Sequence, residues 1–312
     1  MTAPPQAAVQ VADFTLQLRR AEVGGGDLLV VLSTKRRFAM YRREFSRDVL
    51  FVADGRVGFY VHGTEALAEA IMAIADRGDY ERVLLVGGSK AGFGALLVGG
   101  VAARMRPDRV IRVLAFQPRA WIWPYQRERR VPSYHRQHRR ASKEPGLRAD
   151  MRRFGDVRFV AELPNLVAQV VYPGRNAEDM EQALALDGPN VRHAAVPTAI
   201  HNAMGFLNLI RRPEEEVRAG VDRMFGGDAA DDGLFADEAQ RLTLVREILA
   251  AGALPTVDEH IDAAFDLSPR PAPPGWAGRV AWRRLRRRAA ALLRRLRPYP
   301  RIRSPRGAPP SA

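Results

Sequence analysis

The sequence predicts an α/β protein: a mainly parallel β-sheet with helices on both faces, followed by a helical C-terminal appendage. Three observations carry that expectation. Short runs of Val, Leu and Ile alternate with longer stretches of helical period. The runs are apolar at nearly every position, as strands buried on both faces are. After Arg211 the strand signal stops and only helical patterns follow.

The elements follow in order. Leu28-Leu29-Val30-Val31-Leu32 comes after a Gly-Gly-Gly-Asp turn, and Val49-Leu50-Phe51-Val52 runs into Ala53-Asp54-Gly55, a turn signature. Residues 58–61 read as another short strand. Residues 82–86 lead straight into Gly87 and Gly88, and residues 110–116, 168–172 and 191–196 are further strands. Helical patterns occupy residues 64–76, 91–104, 176–184 and 202–211, then 214–225, 237–250 and 257–265. The expected organisation is a core over residues 1–212 with a basic insert at about 117–160, a helical appendage over 213–268 packed on it, and a basic linker and amphipathic tail over 269–312.

Composition bounds the function classes. The 312 residues are 46% hydrophobic and 27% charged, which suits a folded core. No Cys is present, so disulfides, thiolate metal sites and a Cys nucleophile are excluded. The N-terminus has neither the basic start nor the apolar run of a signal peptide, and no stretch reaches the roughly 18 apolar residues of a membrane span. A cytoplasmic protein is expected, peripheral at the inner face of the membrane if its tail docks there. No cofactor and no metal are expected.

The net charge of +14 is unevenly spread. Residues 270–312 hold 13 Arg and no acid, leaving 36 basic and 35 acidic residues before them. Within that near-neutral body, residues 119–153 carry +8 and residues 225–268 carry −8.

The richest stretch is Val83-Leu-Leu-Val-Gly-Gly-Ser-Lys-Ala-Gly-Phe-Gly-Ala-Leu-Leu97: a strand, a Gly-rich turn and a helix without spacer. Such a turn can expose a nucleophilic Ser or cradle a dinucleotide pyrophosphate at the helix N-terminus. The spacing Gly88, Gly92, Gly94 suits short-chain dehydrogenases, but no Tyr stands four residues before a Lys, and Gln117-Pro118-Arg119 replaces a ribose-binding acid after the next strand. Gly87-Gly-Ser89-Lys-Ala91-Gly92 resembles the G-x-S-x-G nucleophile elbow of the α/β-hydrolases, with Ala in place of the final Gly. The Gly-Ser-Lys-small-Gly form is similar to hydrolase-like proteins of bacterial surface-polysaccharide and accessory-secretion systems. The resemblance covers about residues 25–212.

It implies a triad in the order Ser, acid, His. His201 follows the last strand, just before a helix, where this fold carries its catalytic His. The acid should follow residues 168–172; Asp179 is favoured, with Glu178 and Asp187 as alternatives. The oxyanion hole would use the N–H of Lys90 and one from Ser33 or Thr34.

The insert interleaves Trp121, Trp123, Tyr125 and Tyr134 with Arg, a mixture that suits an anionic or carbohydrate-like substrate held by Arg119, Trp121 and Trp123. Its alternative reading is a solvated helical hairpin whose charge pairs with residues 225–268. In the tail, Trp282, Leu285, Ala289, Leu292 and Leu296 recur every three or four residues among Arg. Residues 279–297 would then dock on an anionic membrane surface or an acidic partner. Nucleic acid is not expected, since the body resembles no nucleic-acid module.

The function expected is a serine ester hydrolase or acyltransferase acting on a small-molecule or glycan ester. The alternatives are a hydrolase-like binding or assembly protein without turnover and, behind it, a nicotinamide-dependent dehydrogenase.

Overall fold

The structure, a computed structural model, describes residues 7–23, 25–129, 131–225, 237–282 and 285. Eight strands form one sheet: β1 (Val9–Val11), β2 (Phe14–Arg19), β3 (Asp27–Ser33), β4 (Asp48–Asp54), β5 (Arg82–Gly88), β6 (Ile111–Phe116), β7 (Leu166–Pro173) and β8 (Val191–Val196). Their order is β1-β2-β4-β3-β5-β6-β7-β8. β1 and β2 pair antiparallel, as do β2 and β4; all other neighbours are parallel.

The pleat divides the core in two. Leu28, Val30, Leu32, Val83, Leu85, Val113 and Val170 enter one apolar cluster, while Leu29, Val31, Phe51, Leu84, Val86, Leu114 and Phe116 enter the other. On the first face lie α1 (Thr64–Arg77), α2 (Lys90–Met105) and the insert helices α3 (Pro132–Lys143) and α4 (Pro145–Phe154). α5 (Ala177–Leu184) also sends Ala183 into the first cluster. The second face is covered by α6 (Ala203–Leu209), α7 (Glu214–Phe225), α8 (Glu238–Ala250) and α9 (Val257–Phe265). Among the described residues no helix is long and apolar enough to cross a membrane.

The structure differs from the sequence expectation in three places. β1 and β2 carried no expectation. In β2 the residues Phe14, Leu16 and Leu18 face the core while Thr15, Gln17 and Arg19 are less buried, so the strand has the alternation of a half-solvated antiparallel pair rather than a solid apolar run. Residues 58–61 are not a strand. Val57, Phe59 and Tyr60 have φ of 55°, 60° and 60°, and the chain coils inward instead of extending. The Tyr60 ring stacks on Phe14 at 5.3 Å and its hydroxyl donates to the Ser33 carbonyl at 2.7 Å. This apolar run is therefore a plug in the first cluster.

The third difference concerns charge. The insert and the helices α8 and α9 of the acidic segment lie on opposite faces of the sheet. Trp121, Tyr134, Leu147 and Met151 pack on the first face, whereas α8 and α9 pack on the second. Insert cations pair instead with Glu178, Glu181, Glu144, Asp156 and Glu65. Asp258, Asp262, Asp266 and Glu247 pair with Arg43, Arg47, Arg82 and Arg175. Of the tail, Trp282 and Leu285 are exposed, while Ala289, Leu292 and Leu296 lie outside the described residues.

Candidate active site

β5 ends at Gly88 and α2 begins at Lys90, so Ser89 alone makes the turn. Its φ of 51° and ψ of −116° lie where L-residues are strained, and such strain persists only when the surroundings over-determine it. Here they do. The Ser89 N–H donates to the Phe116 carbonyl at the end of β6 (2.9 Å), and the Ser89 carbonyl accepts from Phe93 N–H (3.0 Å). A Cβ on Gly87 would stand 2.3 Å from the Ala91 carbonyl oxygen, and one on Gly92 2.9 Å from that of Phe116. Ala91 itself is buried in the first cluster, which accommodates a methyl group in place of the usual glycine. Gly94 leaves room for the Tyr60 ring, 2.4 Å from where its Cβ would be. Of the glycines that suggested a pyrophosphate cradle, Gly92 and Gly94 are thus taken up by backbone and side-chain packing, while Gly88 lines the cavity.

Ser89 Oγ lies 2.9 Å from His201 Nε2, and His201 Nδ1 lies 2.8 and 3.0 Å from the two oxygens of Asp179. Each partner stands just beyond a strand. His201 precedes α6, whose N-terminus is capped by Asn202 accepting from Gly205 N–H, so His201 is free of that structural duty. Asp179 sits in the first turn of α5, where Asn176 caps its N–H at 3.1 Å. Its carboxylate is buried. Glu178 turns away to Arg119 (2.6 Å) and Arg129 (3.4 Å), and Asp187 is exposed and does not line the site. Asp179 is therefore the carboxylate on His201.

The three residues stand in the wall of a cavity of about 1830 Å³. Of the two donors expected after β3, Thr34 lines it and Ser33 does not. The Ser33 hydroxyl is tied into its own loop, donating to the Arg37 carbonyl at 2.5 Å and accepting from Lys35 N–H at 3.3 Å. Lys90 lines the cavity at the first position of α2, the end of the helix where aligned peptide dipoles favour negative charge.

Arg119 lines the cavity too, but Trp121 and Trp123 do not. The Trp121 ring lies against Arg129 and Arg158, and Trp123 stacks on His138 at 5.8 Å; both indoles pack on the first cluster. Burial lowers the pKa of His138 to about 4, which keeps this imidazole neutral inside the insert. Sequence reasoning passed over Lys35, Arg37, Gln117 and Met204, which also line the cavity. A signal was present for Gln117, which directly follows a parallel strand at its carboxyl end, where α/β sheets place their ligands. Among the described residues no cluster of three or more His, Asp or Glu could hold a metal ion.

The strand order, the antiparallel β2 and the strained serine between β5 and its helix decide the architecture. The chain has the α/β-hydrolase fold. Solved structures similar to it include an esterase from Pyrobaculum calidifontis (14% identity, TM-score 0.44, 71% of this chain and 85% of that one). Another is a proline iminopeptidase from Mycobacterium smegmatis (13%, 0.40, 78% and 99%). A third is an N-formylmaleamic acid deformylase from Pseudomonas putida S16 (14%, 0.38, 62% and 93%). No family model and no curated protein matches the chain. In this α/β-hydrolase fold the insert between β6 and β7 forms one wall of the cavity, through Gln126, Glu128, Arg129, Val131 and Ser133.

Proposed function

We propose that the protein is a serine hydrolase or acyltransferase acting on an ester of an acylated, anionic or carbohydrate-like substrate. The observation that carries this reading is the unbroken series Ser89–His201–Asp179, each link at 3.0 Å or less, opening on a large cavity. His201 Nε2 accepts the Ser89 proton as Oγ attacks the acyl carbonyl. Asp179 accepts from Nδ1–H, holding the reactive tautomer and stabilising the imidazolium that forms. The N–H groups of Lys90 and Thr34, residues that line the cavity, are the donors proposed for the developing oxyanion. His201 then returns the proton to the leaving alcohol, and water or an acceptor hydroxyl completes the cycle. None of these steps calls for a cofactor.

Preference for an anionic group is proposed to come from cations that line the cavity, Lys35, Arg37, Lys90 and Arg119. Arg119 and Arg129 of the insert are engaged with Glu178 and Glu181. Residues 279–297 are proposed, on their sequence, to dock on an anionic membrane surface or an acidic partner. Sedimentation with anionic vesicles should fall when the chain ends at residue 269, and undiminished sedimentation would sink that proposal.

The test of the activity is intact mass after treatment with a fluorophosphonate, beside the Ser89→Ala variant. One adduct on the wild type and none on the variant are expected. No adduct on folded wild type would overturn the serine-hydrolase reading in favour of a binding or assembly role.

A further inference from the structure

We propose that Gln117 is a specificity-determining residue of this site. Its side-chain amide hydrogen-bonds a hydroxyl or amide group of the substrate beside the scissile acyl carbon, so that hydroxylated esters are preferred to plain alkyl ones. The inference rests on the ester-hydrolysis reading above.

Gln117 stands directly beyond β6 with a φ of 36°, and its backbone N–H donates to the Val171 carbonyl at 2.6 Å. That pairing holds a non-glycine residue in a strained conformation next to the site. The residue is 3% exposed and lines the cavity, yet its Oε1 is buried without a hydrogen-bond partner among the described residues. A Cβ on Gly88 would lie 3.4 Å from Gln117 Nε2 and 3.3 Å from Met204 Sδ. The amide therefore rests over the bare glycine that immediately precedes the nucleophile.

The two other buried glutamines show what structural amides do. Gln137 Nε2 donates to the Gly58 carbonyl at 3.1 Å, and Gln182 Oε1 accepts from Ala120 N–H at 2.9 Å. Each ties the insert, or the chain leading into it, to another segment. Gln117 ties nothing of the kind among the described residues; Gln182 Nε2 and Gln169 Oε1 are also without a partner there, but of the three residues only Gln117 lines the cavity. Leaving a buried amide unpaired costs free energy, and that cost is relieved when a ligand supplies the missing partner. Because the amide both donates and accepts, it matches a hydroxyl or another amide, whereas an alkyl group leaves it unpaired.

Two ester pairs test this: p-nitrophenyl butyrate against p-nitrophenyl 3-hydroxybutyrate for the acyl side, and methyl acetate against a monoacetylated methyl glucoside for the alcohol side. The wild type is expected to favour the hydroxylated member of at least one pair by about tenfold in kcat/KM. Gln117→Met, which keeps the length without the amide, should bring that ratio close to one. If the Met variant does not fold, Gln117→Leu serves instead, since it removes both the donor and the acceptor. Equal kcat/KM within both pairs, or a preference that survives the substitution, would overturn the proposal.

Calorimetric titration of Ser89→Ala with the monoacetylated glucoside and the hydroxybutyrate ester provides an arm independent of turnover. Adding Gln117→Met should weaken the binding of one of them about tenfold. Unchanged affinity for both overturns the role of Gln117 even where the serine proves inert. A missing fluorophosphonate adduct overturns only the ester-hydrolysis reading.

Discussion

The turn at Ser89 and the basic insert both border the cavity, and they use their residue types in opposite ways. At the turn the backbone answers mostly to near neighbours in the chain, Gly87 to Ala91 and Ser89 to Phe93, with the end of β6 meeting Ser89 and Gly92 from outside. In the insert the conspicuous cations answer to residues far away, Arg119 and Arg129 to Glu178 and Arg153 to Glu65. A Gly-rich turn can be interpreted from the order of its residues because the constraint is backbone geometry. A charge run cannot, because any nearby carboxylate satisfies an arginine and the fold decides which is nearby.

The sharpest way to break this contrast is to add one methyl group to each region. Gly87→Ala places a Cβ 2.3 Å from a backbone oxygen that cannot give way. We expect a loss of about 3 kcal/mol or more in denaturant unfolding, together with loss of the fluorophosphonate adduct. Gly146→Ala in the first turn of α4 meets nothing within 4 Å and should leave stability unchanged or raise it by about 0.5–1 kcal/mol. Similar losses at the two positions would show that the elbow is not uniquely constrained.

The next effect is one of pH. Burial holds His138 at about 4 against an ordinary 6.5, so the unfolded chain gains a proton near pH 6.5 that the folded chain refuses until about pH 4. The contribution of this group is complete above pH 6.5 and is lost progressively as pH falls through that window. His138→Gln keeps a donor for the Ile122 carbonyl, 2.7 Å away, and should flatten the unfolding free energy between pH 6.5 and 4. An unchanged slope would mean that the imidazole is not held neutral.

The smallest effect concerns surface charge. Arg153→Ala should cost under about 1 kcal/mol, since its pair with Glu65 is exposed. Combined with Asp266→Asn it should be additive within about 0.5 kcal/mol, because the two lie on opposite faces of the sheet. Measurable coupling would reinstate a pairing between the insert and the acidic segment.

Much of the architecture was legible because burial on both faces writes itself as largely apolar runs; β3 to β7 each carry one, whereas the edge strand β8 includes Arg192 and His193 and is only half buried. β2 escaped because a half-solvated strand mixes Thr, Gln and Arg into its pattern. Residues 58–61 were misread because apolar composition reports burial and not conformation, and here the buried side chains fill a plug. At the site Ser89 and His201 were legible from a turn and a strand end. The indoles of Trp121 and Trp123 were misassigned, since an aromatic beside arginines is equally suited to the packing they show.

By itself the sequence determined the alternation of strands and helices, the serine on a glycine-lined turn, and the short set of residues that could join it. Those features depend on periodicity, bond geometry and steric room within a few residues. The tertiary structure alone decided that Asp179, rather than Glu178 or Asp187, meets His201, that Arg119 and Arg129 of the insert pair with α5 and Arg153 with α1, and that Gln117 lines the cavity with its Oε1 unpartnered among the described residues. These outcomes depend on strand order and on which side of the sheet each helix lies. That order brings together residues far apart in the chain, Ser89 and His201 being 112 positions apart, and no local pattern encodes the distance between them.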